Sequence, residues 1–222
     1  MIRNSQELVF TQHEVAAMIR AAPCLWWKAF IELAVSTGLR TVEILRLHAS
    51  DLDAKTLSVR VTSDPTGLAA DPEQVTLRCS MPLHRERTVS IDAAVMRTLS
   101  RLRSERSTDS HIFVPDWKLD QLWPRIVTGE PLTSELLSPD LGKWFQMTQR
   151  RARLVLAKDA GVPVSQTRWR HRSLRALRAT AIRRLAVGLP PSSLAEHLGY
   201  AAAQSVLRFY GCAVAGSAGG VA

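Results

Sequence analysis

The spacing of apolar residues changes twice along this chain, and the order of the changes limits the fold more than any single motif. Thr11-Gln12-His13-Glu14 reads as a capping box opening a helix that stops near Pro23. Trp26 to Thr37 carries apolar residues on helical spacing, and Gly38 suits its C-terminus. Thr41 to His48 reads as a short helix with Val42, Leu45 and Leu47 facing inward. The period then shortens. Thr56 to Val61, Val75 to Arg78 and Thr88 to Ile91 are β-type runs separated by Asp-Pro, Thr-Gly and Met-Pro turn signals. Helical spacing returns with a helix capped by Asp92 and running toward Arg106. After an apolar run at His111 to Val114 and a loop-rich stretch from Pro115 to Pro139, Leu141 to Ala160 is helical and basic on one side. Ser173 to Val187, Pro191 to Leu198 and Ala203 to Tyr210 complete the set. Helices, a small sheet and helices again predict a mainly α domain carrying a small antiparallel β-sheet insert, spanning residues 1–210. The Gly/Ala-rich residues 211–222 are expected to form a flexible tail.

Composition matters mainly through charge. The chain carries +9, but not evenly. From Lys143 to Arg184 there are twelve Lys and Arg, ten of them Arg, against the single acid Asp159, so this segment alone is +11. A solvated helix face normally mixes in Glu and Asp. An Arg-rich segment without them points to a polyanion, most often nucleic acid, because the guanidinium forks onto two phosphate oxygens. Arg150, Arg151, Arg153, Arg168, Arg170 and Arg172 are the candidate contacts. With 46% hydrophobic residues the chain can bury a core, and Trp26, Trp27, Trp123, Trp144 and Trp169 read as core or interface residues rather than base-stacking platforms. No apolar run approaches the roughly 18 residues of a membrane span, and Met1 to Gln6 holds no signal-peptide core. Cys24, Cys79 and Cys212 lack metal-ligand spacing and read as thiols in a reducing cytoplasm.

Two segments carry a family pattern. The first is Ser36-Thr37-Gly38-Leu39-Arg40-Thr41-Val42-Glu43-Ile44-Leu45-Arg46-Leu47, followed by Ser50-Asp51-Leu52-Asp53. The second runs through Leu177-Arg178-Ala179-Thr180, Gly188, Leu198-Gly199-Tyr200 and Arg208-Phe209-Tyr210. In this order, with Arg87-Thr88-Val89-Ser90-Ile91 between them, they resemble the two boxes of the tyrosine recombinase (phage integrase) family, catalytic domain. The resemblance covers Leu8 to Tyr210, without the family's separate N-terminal DNA-clamping domain. It implies a fold like that catalytic domain and a partner of double-stranded DNA. It also implies a second copy or a partner recombinase on that DNA, and no cofactor. The implied chemistry joins a tyrosine oxygen to a DNA phosphate and expels a 5′-hydroxyl, leaving a 3′-phosphotyrosine. Two arginines would clamp the non-bridging oxygens, where negative charge builds up. By resemblance Arg40 is the first clamp, Arg178 or Arg175 the second, and Tyr210 the nucleophile, with Glu43 bracing Arg40 or the local fold.

The departures fall on proton transfer. The family usually has His three residues before its second Arg; here that place holds Arg175 or Arg172, with His171 out of register. Its Leu-Gly-His reads Leu-Gly-Tyr, so Tyr200 stands where a His or Trp is usual. The hairpin between Leu77 and Arg87 lacks the usual Lys. Arg178 to Gly188 is one residue short, and Tyr210 is one residue late. Three outcomes therefore remain open: an active integrase, a catalytically degenerate DNA-binding accessory protein, and a helix-turn-helix regulator built on the last two helices. The Thr-Gly-Leu-Arg box far upstream argues against the regulator, which has no need of it. An RNA-binding surface would place aromatics on the sheet, and the strands offer none.

Overall fold

The computed structural model describes residues 9–62, 86–105, 111–113 and 140–200, together with positions 118, 120, 121, 124, 125, 128, 203, 204, 206 and 211. The expected strand Val75 to Arg78, the hairpin residues 78–85, Trp123, Cys79, Cys212 and Tyr210 lie outside these, as does most of the last expected helix.

The elements begin where the local chemistry sets them. Helix α1, Gln12–Ala21, starts at Thr11, whose Oγ1 accepts the Glu14 N–H at 3.2 Å while Glu14 Oε2 accepts the Thr11 N–H at 2.8 Å. Such a cap is worth about 1 kcal/mol. Helix α2, Leu25–Thr37, is buried on nearly every side and ends at Gly38 in the left-handed conformation (φ 68°), whose N–H reaches Ala34 O. Helix α3, Thr41–Leu45, is shorter than expected, and Val42 is exposed rather than inward. Ile44, Leu45 and Leu47 take the buried side. Glu43 also turns inward, because its carboxylate accepts the Arg40 N–H. A 3₁₀ turn at Ala49–Asp51 then leads into the sheet.

Strands β1 (Leu52–Asp53), β2 (Ser58–Val61) and β3 (Arg87–Ser90) form an antiparallel sheet in the order β1-β2-β3. Val59 pairs with Val89 and Val61 with Arg87. Val59, Val61 and Val89 bury one face against the helices. Helix α4, Ala93–Ser104, follows; Asp92 holds its N-cap position, but its side chain makes no capping bond.

Helix α5, Leu141–Ala160, has the span expected from sequence, opened by Asp140 Oδ1 on the Lys143 N–H (3.1 Å) and closed by Gly161 at φ 64°. A 3₁₀ turn at Val164–Gln166, helix α6 (Arg175–Leu185) and helix α7 (Pro191–His197, with Pro191 in its first turn) complete the described chain. Helix α1 lies on α5, and α2 packs on both α4 and α6.

The core is aromatic where α2 meets α5. Trp27 stacks on Phe30 with centroids 5.0 Å apart, and Trp26 and Trp144 meet edge to face. Trp27 Nε1 donates to the buried Thr148 Oγ1 at 2.6 Å, so the indole polar atom is satisfied. Trp26 and Trp27 are buried, and Trp144 and Trp169 are partly buried against the same cluster, so these four take the core side of the core-or-interface reading. No helix among the described residues is long and apolar enough to cross a membrane.

Candidate active site

The two sequence boxes meet because α2 packs on α6. The left-handed turn that ends α2 brings Gly38 against both α6 and the end of α7. A Cβ at position 38 would stand 3.1 Å from Leu198 Cδ2 and 3.3 Å from Ala181 Cβ. Arg178, on the inner side of α6, donates from Nη1 to Gly38 O and from Nη2 to Leu198 O at 3.4 Å. Arg184, two turns on, donates to Ser36 O at 3.0 Å. His197 Nε2 meets Thr37 O at 2.9 Å and so carries its proton on that nitrogen. Burial first, then the Thr37 carbonyl opposing it and the charges of Arg87 and Arg178 adding to it, leave the His197 pKa below its ordinary value, so the ring is neutral at physiological pH.

Tyr200 closes the assembly. It follows Gly199, which is left-handed at φ 75°, and its N–H bonds Ala195 O at 2.7 Å. Its ring is buried among Ile182, Leu194 and Leu198. The Arg40 Cζ lies 5.4 Å and the Arg178 Cζ 5.7 Å from the ring centroid. Each such contact is worth roughly 0.5–2 kcal/mol. Arg40, which precedes α3, and Arg178, on α6, thus share one aromatic neighbour. Arg175 does not join them: it is exposed in the first turn of α6.

Glu43 is the carboxylate of this cluster and is 7% exposed. Its Oε2 accepts the Arg40 N–H at 2.7 Å and lies 3.8 Å from Arg178 Nη1; its Oε1 accepts from Arg87 Nη2 at 3.0 Å. Arg87, from β3, also donates from Nε to His197 O at 2.8 Å. Desolvation lowers the Arg87 pKa, with Glu43 opposing the shift and Arg178 and Arg40 adding to it. Arg40, Arg87, Arg178 and Glu43 together carry a surplus of positive charge in a mostly water-excluded place. Such a place favours an anion, and a planar fork such as that of Arg suits a phosphate's oxygens.

Sequence reasoning missed Arg87 and His197. Arg87 had a signal: it shares strand parity with the buried Val89 and Ile91, which puts a charge on an inward face. His197 had none beyond its place beside Leu198-Gly199-Tyr200.

The basic candidates divide. Arg150 and Arg151 are exposed on α5, and Arg168 and Arg170 are exposed between α5 and α6. Arg153 is half-buried and donates to Val164 O at 2.7 Å. Arg172 is engaged within the fold: its guanidinium pairs with Glu14 at 3.0 Å and lies 4.5 Å from the Phe10 ring centroid, with 10% of the side chain exposed. His171 is exposed beside it.

The chain matches the phage integrase family model over residues 9–213 and belongs to that family. No curated protein matches the sequence significantly. Among solved structures, XerA recombinase is similar at 15% identity and a TM-score of 0.59, over 91% of this chain and 59% of that one. The Tn1549 transposon integrase in complex with circular intermediate DNA is similar at 17% identity and a TM-score of 0.60, over 91% of this chain and 62% of that one. A lambda integrase dimer bound to a COC′ core site gives 17% identity and a TM-score of 0.51, over 91% and 47%. The chain thus spans about three fifths of the length of the first two structures. At these identities the likeness establishes the fold: a tyrosine recombinase catalytic domain, mainly α with a small antiparallel sheet.

Proposed function

We propose that this chain is the catalytic part of a site-specific DNA recombinase of the integrase type, breaking and rejoining double-stranded DNA through a 3′-phosphotyrosine. The observation that carries this reading is the convergence of Arg40 and Arg178 on the Tyr200 ring, beside Arg87 and the buried Glu43. Arg40 and Arg178 hold the non-bridging oxygens of one scissile phosphate. They match the charge that grows as the phosphorus becomes five-coordinate. Tyr210, assigned by its place in the second box, attacks the phosphorus; the bond to the 5′-oxygen breaks and that oxygen leaves with a proton. Attack by a 5′-hydroxyl reverses the step and releases the tyrosine, so bond energy is conserved without an external energy source. The hairpin sequence lacks the usual lysine. Tyr200, whose ring faces both clamp arginines, is the hydrogen-bond donor we assign to the same phosphate.

The exposed Arg150, Arg151, Arg168 and Arg170 track the DNA backbone, giving affinity that falls steeply with salt. The lambda integrase structure is a dimer on its core site, and we assign this chain a partner protomer on DNA as well. We assign the chain to the cytoplasm, in keeping with DNA as its substrate.

Covalent trapping tests the reading. The protein is incubated with nicked duplexes from the DNA flanking its gene, denatured, and examined for a protein–DNA adduct. An adduct that disappears in Tyr210→Phe is the expected result. Tight, salt-sensitive binding with no adduct across these duplexes makes the chain the degenerate accessory protein instead.

A further inference from the structure

Glu43 divides its carboxylate unevenly. Oε1 accepts from Arg87 Nη2 at 3.0 Å, whereas Oε2 takes the Arg40 backbone N–H at 2.7 Å and stands 3.8 Å from Arg178 Nη1. The side chains of Glu43, Arg87 and Arg178 are between 5% and 9% exposed, so water screens these charges little. Arg87 belongs to neither sequence box. It enters from β3, opposite Val61, and reaches past the sheet to the turn after α7. There it lies under Gly199, where a Cβ would stand 2.7 Å from Arg87 Nη1.

We propose that Arg87 is a positioning residue that engages the Glu43 carboxylate and so keeps the charge of Arg178 directed at the phosphate. The proposal rests on the reading of Arg40 and Arg178 as a phosphate clamp. A buried carboxylate beside several guanidiniums neutralises whichever it can approach most closely. With Arg87 in place, that partner comes from the sheet. Without it, Arg178, whose Nη1 is already 3.8 Å away, is a guanidinium within reach. A pairing there would make the clamp both weaker and differently aimed. Of its two bonds, that of Nη2 offsets the Glu43 charge, while that of Nε to the His197 carbonyl holds the side chain in place. Arg87 also ties the sheet to the catalytic boxes, since it lies on β3 and bonds both Glu43 and the His197 carbonyl.

The test uses inorganic phosphate as the probe, with affinity measured by calorimetry and folding by thermal unfolding. Arg87→Gln is expected to lower phosphate affinity about tenfold or more, as loss of one nearby charge predicts. Glu43→Gln/Arg87→Gln, which removes both charges, is expected to recover affinity to within about threefold of the parent. Arg87→Lys keeps the charge without the fork and is expected to stay within the same range. A double variant no better than Arg87→Gln, or a parent that binds no phosphate, overturns the proposal. Arg87→Lys decides the matter even where the neutral variants unfold: affinity near that of the parent supports charge engagement, and a tenfold loss refutes it. Covalent trapping on DNA stays a separate readout. A parent that shows this phosphate pattern yet forms no adduct overturns the DNA-cleaving reading and leaves the Arg87 assignment intact.

Discussion

Arg178 donates its guanidinium N–H to the main-chain carbonyl of Gly38, so a side chain from the second sequence box is held by the backbone of the first. The bond crosses 140 residues of sequence and is buried. It favours Arg178 over Arg175 as the second arginine of the site that we propose.

Substitutions at the two arginines should therefore part company. Arg178→Ala removes the buried donor to Gly38 O and one of the positive charges beside Glu43, and should cost about 3–5 kcal/mol of stability. Arg178→Lys should fold better but lose the adduct by about a hundredfold or more, since one point charge cannot reproduce the fork. Arg175→Ala, exposed, should change stability by less than about 0.5 kcal/mol. Urea unfolding and adduct yield on one nicked duplex check all three. An Arg175→Ala defect larger than that of Arg178→Lys reverses the assignment.

The signals for this choice were partly in the sequence. Leu174, Leu177, Ala181, Ile182 and Leu185 form an apolar stripe on helical spacing, and Arg178 falls inside it while Arg175 falls on its edge. An arginine within an apolar stripe is a buried arginine. The capping box at Thr11, the glycine stop at Gly38 and the span of α5 were legible because each depends on neighbours within one or two turns. Arg172 and Glu43 were harder. The partner of Arg172 is Glu14, in another helix, and Glu43 turns toward Arg87 on a strand. Only tertiary packing brings such pairs together, so an arginine-rich segment cannot by itself show which members face the core.

The basic surface makes a graded prediction. Removing Arg150, Arg151 or Arg168 singly should weaken DNA binding similarly on any sequence and lower the salt slope by about one each. Arg172→Ala should instead destabilise the protein, because Glu14 loses its partner and Phe10 its cover. Fluorescence anisotropy at several salt concentrations, beside thermal unfolding, separates the two. An Arg172→Ala variant with parental stability and a reduced slope contradicts this division.

Gly199 should tolerate no side chain. At φ 75° an L-residue costs roughly 1–2 kcal/mol, and a Cβ would also stand 2.7 Å from Arg87 Nη1. Gly199→Ala is expected to lose about 2 kcal/mol or more by chemical denaturation. Combining it with Arg87→Ala should relieve the steric part, so the two losses are less than additive. Full additivity would show that the guanidinium is not what crowds this glycine.

Acid should loosen the junction between α3 and the segment after α4. His111 bridges to His48 across a β-bridge, with ring centroids 4.1 Å apart. Burial, with the nearby His48 charge adding to it, pushes the His111 pKa down from 6.5 to about 4. Above pH 6.5 both folded and unfolded forms are neutral at this site. As pH falls from 6.5 toward 4 only the unfolded chain takes up the proton, so stability drops, by roughly 3 kcal/mol over the window. His111→Phe should flatten that part of the pH profile. An unchanged slope in this variant would assign the acid sensitivity to another group.

The contact of Gly38 with Leu198 and Ala181 has a further meaning for a chain made from one end. A nascent polypeptide that has emerged only through α5 already holds Arg40 but has neither Arg178 nor the Tyr200 ring beside it. Arg40 gains its two neighbours only when α6 and the turn after α7 dock against the end of α2. On our reading, competence to cut DNA is thereby withheld until both of these helices have been made.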